Sequence, residues 1–115
     1  MSRYARETSF SSRASLSRSI LEKHYDKIPV IVESRRNPYS ISKVIASRSM
    51  TFGEFISMII SRVTIDETKS LIYFLNVKGR DNIIPVSKYM GDLYDTSRSN
   101  DGFLYVSWIE ESTFG

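Results

Sequence analysis

The clearest pattern in the chain is a run of apolar residues at helical spacing near its middle. Thr51 and Glu54 form a capping box. Beyond that box, apolar residues recur three and four positions apart, at Phe52, Phe55, Ile56, Ile59, Ile60 and Val63. These features predict a helix over residues 51–63 that packs on a sheet. A narrower stripe predicts another helix over residues 11–24, which is expected to dock on a domain rather than form one.

Around these helices, short apolar runs of strand type are separated by polar turns. They predict strands at residues 28–32, 42–48, 71–75, 83–86 and 103–109. Pro29 has no backbone N–H, so it is expected at a strand start or at an edge position. Residues 78–82 are expected to form a hairpin turn. Ser87 is expected to cap a brief helix over Tyr89, Met90, Leu93 and Tyr94.

The order of these elements predicts an α+β fold, a ubiquitin-like β-grasp with one or two additional N-terminal helices. In such a fold a mixed sheet wraps the central helix, and the last strand lies beside the first. Residues 1–24 would be a helical extension docked on the core and residues 25–110 the ubiquitin-like domain. Residues 111–115 would be a flexible tail.

The composition disfavours catalytic chemistry. The chain of 115 residues has no cysteine and one histidine, His24, which is expected to be an exposed helix residue. The five glycines are scattered singly, so they form no phosphate-cradling loop. We therefore expect no enzyme activity, no cofactor and no metal site. Because no cysteine argues for an oxidising compartment, a cytoplasmic protein is expected. No apolar stretch approaches the length of a membrane span, so the unmodified chain is expected to be soluble.

Charge is distributed unevenly along the chain. Residues 1–48 hold ten Lys and Arg against four Asp and Glu, a net charge of +6. Residues 49–115 hold six against nine, a net charge of −3. The basic half suits an acidic partner, such as nucleic acid, an anionic membrane or an acidic protein. Nucleic acid is disfavoured because the aromatic residues do not interleave with the basic ones as a stacking platform would.

The sequence ends on a glycine that follows a strand-like run. Since glycine has no Cβ, the carboxylate of Gly115 could enter a narrow channel in another enzyme. Taken alone, this ending favours an accidental terminus. The remainder of the chain decides whether it carries a function.

Five segments together carry a recognisable family pattern. They are Phe10-Ser-Ser-Arg13, Asp26-Lys27-Ile28-Pro29-Val30-Ile31-Val32-Glu33, Thr51-Phe52-Gly53-Glu54-Phe55, Asp101-Gly102-Phe103-Leu104-Tyr105-Val106 and Glu111-Ser112-Thr113-Phe114-Gly115. In order and spacing they resemble the autophagy-related ubiquitin-like modifiers, the family that includes GABARAP. The similarity extends over residues 10–115 and agrees with the predicted order of elements.

The resemblance implies that Gly115 is the site of lipid conjugation. An activating enzyme would adenylate its carboxylate, a conjugating enzyme would hold it as a thioester, and phosphatidylethanolamine would receive it. Phe114 and Phe74 would contribute to recognition by the protease and the conjugation enzymes. If Gly115 is the encoded end, no priming cut is needed, and the cysteine protease would only remove lipid. The protein would then act in autophagosome formation, moving from the cytoplasm to the autophagosome membrane when lipidated.

The resemblance also implies a groove that binds aromatic-x-x-aliphatic motifs of cargo receptors. The first pocket would be lined by Ile20, Pro29, Lys43, Ile45 and Phe103. The second pocket would be lined by Val44, Ala46, Met50, Phe55, Met58 and Arg62. The sequence alone favours core positions for the apolar members of the first set, whereas it places Phe55, Met58 and Arg62 on a partly exposed side of the central helix. Lys27 and Lys43 would form an electrostatic rim for acidic residues beside the motif.

Some positions depart from the family pattern. Leu16 replaces a helix acid that commonly faces the first pocket, Ile41 stands in a stretch that is usually rich in lysine, and the turn at 78–82 is longer than usual. Motif preference is therefore expected to differ from that of other members. The alternative function is an unconjugated ubiquitin-like binding module whose basic N-terminal arm contacts acidic proteins, tubulin or nucleic acid.

Overall fold

The computed structural model describes residues 2–36, 40–62 and 69–112. The helices in this part of the chain are α1 (Arg3–Glu7), α2 (Phe10–Lys23), α3 (Phe52–Ile60) and α4 (Met90–Ser97). The strands are β1 (Lys27–Ser34), β2 (Ile41–Ser47), β3 (Lys69–Val77), β4 (Arg80–Asn82) and β5 (Leu104–Ser112). The capping box predicted for the central helix is confirmed, since the Thr51 and Glu54 side chains each accept a hydrogen bond from the other residue's backbone N–H.

The strands form one mixed sheet in the order β2-β1-β5-β3-β4. β1 and β5 are parallel, whereas the other neighbouring pairs are antiparallel. The last strand therefore lies beside the first, as predicted for a β-grasp. The predicted α+β class and the pair of N-terminal helices are confirmed as well.

Alternate residues of the strands face opposite sides of the sheet, and each side has its own core. On the α3 side, Val30, Val44 and Leu104 pack with Phe52 and Phe55. On the α2 side, Ile31, Phe103 and Tyr105 pack with Tyr4, and residues of α2 border that cluster. We call these two sides the α3 face and the α2 face. Burial on both faces accounts for the continuous apolar character of β1.

Pro29 is the third residue of β1, close to the predicted strand start but in an interior strand. The ladder between β1 and β5 begins at Val30, one residue later. The missing N–H of Pro29 therefore precedes the region where β1 must donate to β5, which is why a proline is compatible with this strand.

Three predictions between β3 and β5 are wrong, since the hairpin turn expected over residues 78–82 is confined to Lys78 and Gly79 and residues 80–82 are a strand. The predicted strand at 83–86 is replaced by β4 at Arg80–Asn82, because Lys78 and Gly79 have φ of 52° and 79° and close a two-residue hairpin turn. Ser87 is not the N-cap of α4, contrary to the prediction. Tyr89 is the N-cap of α4 and makes no side-chain capping bond, because a β-bridge between Thr51 and Tyr89 fixes the start of this helix.

The final strand reaches further than predicted. β5 pairs with β3 through Ser112, two residues into the segment 111–115 that was predicted to be a tail. Residues 113–115 lie outside the described part of the chain, as do 37–39 and 63–68. Thus the predicted sites at Phe114 and Gly115 have no structural description.

Candidate functional site

β2 is an edge strand, since among the strands of the described residues it pairs with β1 alone. Its ladder ends in backbone hydrogen bonds from Ser34 N to Ser40 O and from Arg48 N to Asp26 O. Hydrogen-bonded and non-hydrogen-bonded pairs alternate in an antiparallel ladder. In the register of this ladder, the residues whose N–H and C=O point away from β1 are Ile41, Lys43, Ile45 and Ser47. The outer edge therefore offers backbone donors and acceptors to another extended chain.

The residues predicted for the first pocket lie together on the α2 face. Pro29 is paired with Ile45, and Lys43 is paired with Ile31 of the α2-face core. Ile20 of α2 packs against the same core, which contains Phe103. Ile45 is 42% exposed, but Phe103 is 0% exposed and Pro29 is buried. The floor of this pocket is thus covered in the described conformation, while its rim on β2 is open.

The residues predicted for the second pocket lie on the α3 face, on the other side of β2. Val44 and Ala46 are buried there, and Met50 and Met58 are partly buried against the same core. Arg62 is exposed in the turn after α3. The predicted exposure of Phe55 is wrong, because its side chain is 0% exposed and belongs to the core stripe of α3. Of the three residues predicted on this side of the helix, Met58 and Arg62 are accessible and Phe55 is not.

The basic residues predicted for the rim have different surroundings. Lys43 is exposed, and its ammonium nitrogen lies 5.4 Å from the ring centre of Tyr4 in α1. Lys27 is half-buried at the start of β1 and is paired with Ser47 at the far end of β2. Lys43 therefore stands on the edge strand itself, whereas Lys27 lies one strand inward, beside the end of β2.

Sequence reasoning missed a buried polar network that joins the N-terminal helices to the segment before β5. Arg13 Nε lies 2.8 Å from Asp101 Oδ2, and Arg13 Nη1 also donates to the carbonyl oxygens of Ala5 and Thr8. Asp101 Oδ2 further accepts a hydrogen bond from the Tyr105 hydroxyl. Burial and then this hydrogen bond raise the pKa of Tyr105. The signal in the sequence was that Arg13 and Asp101 both belong to the segments that carry the family pattern.

The same junction requires a glycine. Gly102 has a φ of 90°, and a Cβ at this position would overlap the Ser17 side chain of α2. Ser17 Oγ in turn donates to the carbonyl oxygen of Asp101. The close approach of α2 to this loop places Ile20 and Leu16 over the α2-face core. Leu16, which replaces an acid in the family pattern, is therefore an apolar contact beside the first pocket.

The remaining predicted residue, Phe74, lies far from β2 on the same sheet. It is half-buried in β3, and the Arg35 guanidinium carbon lies 4.5 Å from its ring centre. A polar groove of about 400 Å³ opens nearby, between α1 and the β3–β4 hairpin, and residues of both charges line it, including Arg6, Glu33, Arg35 and Asp81. Because Arg35 pairs with Asp81, this groove is partly neutralised. It does not coincide with the edge of β2.

The single histidine lies outside the groove beside β2. His24 is the half-buried C-cap residue of α2 rather than an exposed residue within the helix. In residues 2–36, 40–62 and 69–112, His, Cys, Asp and Glu side chains form no group of three that could hold a metal ion. No helix within those same ranges has both the length and the apolar character needed to cross a bilayer.

Comparison with known sequences gives a consistent set of relatives. The model of a family described as "Autophagy protein Atg8 ubiquitin like" matches residues 12–115. Autophagy-related protein 8h of Arabidopsis thaliana is 36% identical over 104 residues, which cover 86% of this chain and 83% of that protein. Autophagy-related protein 8 of Schizosaccharomyces pombe is 32% identical over 119 residues, covering 99% of this chain and 94% of the relative.

Solved structures show the same architecture. Trypanosoma brucei ATG8 superimposes with a TM-score of 0.82 at 32% identity, covering 100% of this chain and 99% of that one. Plasmodium falciparum Atg8, solved in complex with a Plasmodium falciparum Atg3 peptide, gives a TM-score of 0.76 at 22% identity. That match covers 94% of this chain and 95% of the Plasmodium chain. The match to the Plasmodium structure supports the fold alone, whereas the match to the Trypanosoma structure supports both the fold and the family relationship.

Proposed function

We propose that this chain, which belongs to the Atg8 family of ubiquitin-like autophagy proteins, is a lipid-conjugated modifier. It would recruit partners through the edge of β2. The observation that carries this proposal is the free edge of β2, with a predicted pocket on each face of the sheet beside it. The covalent part rests on the resemblance of the C-terminal segment to the family pattern.

The edge of β2 suits a peptide whose key side chains are three residues apart. In an extended chain successive side chains point to opposite faces, so residues separated by three positions also point to opposite faces. A peptide added to β2 would therefore direct one side chain toward Ile20 and Ile45 on the α2 face. It would direct the other toward Met58 on the α3 face. Main-chain hydrogen bonds would supply affinity, and the two pockets would supply specificity.

Conjugation would use the carboxylate of Gly115. ATP would convert it to an acyl adenylate with release of pyrophosphate, and an enzyme thiolate would then displace AMP to form a thioester. Attack by the amine of phosphatidylethanolamine would form an amide and release the thiol. The two acyl chains of the product are sufficient for stable anchoring, whereas one chain would be marginal. The modifier itself contributes no catalytic group in this scheme.

The proposed partners follow from these two sites. Activating and conjugating enzymes would handle Gly115, and a cysteine protease would remove the lipid. Cargo receptors with aromatic-x-x-aliphatic motifs would bind along β2. An Atg3 peptide accompanies the Plasmodium relative, and we propose that a segment of the corresponding protein binds this chain too. The protein would be cytoplasmic before conjugation and would reside on the autophagosome membrane afterwards.

Reconstitution tests the covalent part of the proposal. The protein is incubated with activating and conjugating enzymes of the family, ATP and vesicles containing phosphatidylethanolamine, and intact mass is measured. We expect an adduct with the mass of the lipid less one water, which Gly115→Ala should fail to form. A wild-type protein that stays unmodified, or a Gly115→Ala variant that is modified equally, contradicts conjugation at this residue. An unmodified protein that still binds motif peptides would instead support the unconjugated binding module.

A further inference from the structure

Three side chains follow one another along the α2 face of β2, at Ile41, Lys43 and Ile45. Successive residues of a strand point to opposite faces, so these three share one face at intervals of two residues. Lys43 and Ile45 are exposed, and both belong to the predicted first pocket. Ile41 is half-buried and packs against the α2-face core. The apolar surface beside the pocket therefore continues along the edge strand to Ile41.

The direction of a bound peptide decides which of its residues meets Ile41. The first pocket is predicted to use Lys43 and Ile45 of β2, whereas the second is predicted to include Ala46 and to continue to Met50, after the strand ends. The second pocket is thus displaced toward the end of β2. Because the aliphatic residue follows the aromatic one in the motif, the peptide would run parallel to β2. Its residues before the aromatic one would extend toward Ile41.

A buried carboxylate lies directly across the ladder from Ile41. Glu33 of β1 is the partner of Ile41 and is only 9% exposed. One of its oxygens accepts a hydrogen bond from the Ser2 hydroxyl, and the other accepts one from the Arg3 backbone N–H. Lys43 is the only basic residue within β2. An acidic peptide residue beside Ile41 would therefore meet a like charge and an apolar side chain, and both disfavour it.

We propose that Ile41 is a specificity-determining residue of the peptide site, which selects an apolar side chain two positions before the aromatic residue of the motif. Side chains two positions apart in an extended chain point to the same face, so this residue and the aromatic one would both lie on the α2 face. The inference rests on the proposed peptide site along β2 and adds its sequence preference. The acidic residues expected beside the motif would then stand at other flanking positions.

Two peptides that differ at one residue test this preference on the unaltered protein. Both carry the same aromatic-x-x-aliphatic motif, with either valine or aspartate two positions before the aromatic residue. Contact with Ile41 removes apolar area of the valine from water, so the valine peptide should bind about tenfold more tightly in calorimetry. Equal affinities, or tighter binding of the aspartate peptide, overturn the inference and leave the peptide site in place. If neither peptide binds, the site and its preference are both excluded.

Two lysine substitutions then assign the preference to one position. Ile41→Lys should bind the aspartate peptide more tightly than the wild type does, and the valine peptide more weakly. Ser42→Lys is the matched control, because it adds the same charge at an exposed neighbouring residue on the opposite face of β2. This control should keep the preference for valine, and circular dichroism checks that both variants are folded. An Ile41→Lys variant that still prefers valine, or a Ser42→Lys variant that shifts equally, contradicts the assignment to Ile41.

Discussion

Arg13 and Asp101 form an ion pair across 88 residues of sequence, with Nε and Oδ2 2.8 Å apart and side chains that are 12% and 2% exposed. The pair connects the N-terminal helices to the loop that leads into β5. Phe103 N also donates to Asp101 Oδ1, so the same carboxylate fixes the backbone at the floor of the first pocket. The position of α2 and the shape of that pocket are therefore coupled through one buried acid.

Asp101→Asn should lower the free energy of unfolding by about 3 kcal/mol, because it leaves a buried guanidinium without a counter-charge. Urea unfolding at neutral pH measures the change. Asp95→Asn is a matched control, since Asp95 pairs with Arg48 where the side chains are 54% and 35% exposed. That substitution should cost no more than about 1 kcal/mol. Equal losses from the two substitutions would show that burial of the Arg13 pair has no energetic consequence.

Ile45→Pro tests whether the outer edge of β2 holds the peptide through its backbone. The register directs the Ile45 N–H away from β1, so a proline there should leave the ladder intact and remove a donor to the peptide. We expect peptide binding about tenfold weaker than that of Ile45→Ala, which lacks the side chain but keeps the N–H. Binding is measured by calorimetry, with circular dichroism as the check on folding.

Val44→Pro provides the contrasting control for that experiment. Val44 belongs to a hydrogen-bonded pair with Val30, so loss of its N–H should disrupt the sheet itself. If Ile45→Pro binds as tightly as Ile45→Ala, the peptide does not pair with this edge at Ile45. If Val44→Pro is as stable as Ile45→Pro, the assignment of inward and outward groups is wrong.

Tyr73→Phe should stabilise the protein by about 1 kcal/mol at neutral pH. Within the described residues, the buried hydroxyl of Tyr73 has no hydrogen-bond partner, so its removal relieves a desolvation cost. Burial also raises the pKa of Tyr73 from 10.0 to about 12. Between these values the unfolded chain binds fewer protons than the folded protein, so the free energy of unfolding falls as pH rises.

The Tyr73→Phe variant lacks this ionisable hydroxyl, so its free energy of unfolding should fall less as pH rises above 10. Chemical unfolding at pH 7, 10 and 11.5 therefore should show a stability difference in favour of Tyr73→Phe that widens above pH 10. Other buried tyrosines contribute equally to both proteins and cancel. A wild type that is more stable than the variant at neutral pH would mean that the hydroxyl has a favourable partner in solution.

The periodic elements were predictable because each one carries its own signal. The capping box at Thr51 and the apolar stripe that follows it fix α3, and the continuous run around Ile31 fixes β1. The strand at 83–86 was predicted from apolar character, but Lys78 and Gly79 close the hairpin too early for those residues to pair. Local geometry in the turn thus outweighed composition in the strand.

The site was predictable in its position but only partly in its accessibility. Alternation along β2 separates Lys43 and Ile45 from Val44 and Ala46, which is why the two predicted pockets lie on opposite faces. Phe103 is covered in part by the ring of Tyr4, about 100 residues away in sequence, and local sequence patterns do not reveal such a contact. Tyr4 stands in a segment with few apolar residues, so its packing gave no periodic signal. Phe55 also lay on the predicted core stripe of α3, and its side chain is fully buried in that core.

β5 follows the other described strands in sequence and yet occupies the middle of the sheet, between β1 and β3. During synthesis on a ribosome, β1 and β3 have no shared neighbour until β5 has left the exit tunnel. The sheet can therefore close only after β5 has been synthesised. A nascent chain that lacks β5 holds β1 with β2 and β3 with β4 as two separate strand pairs, so the β-grasp is completed only when β5 joins them.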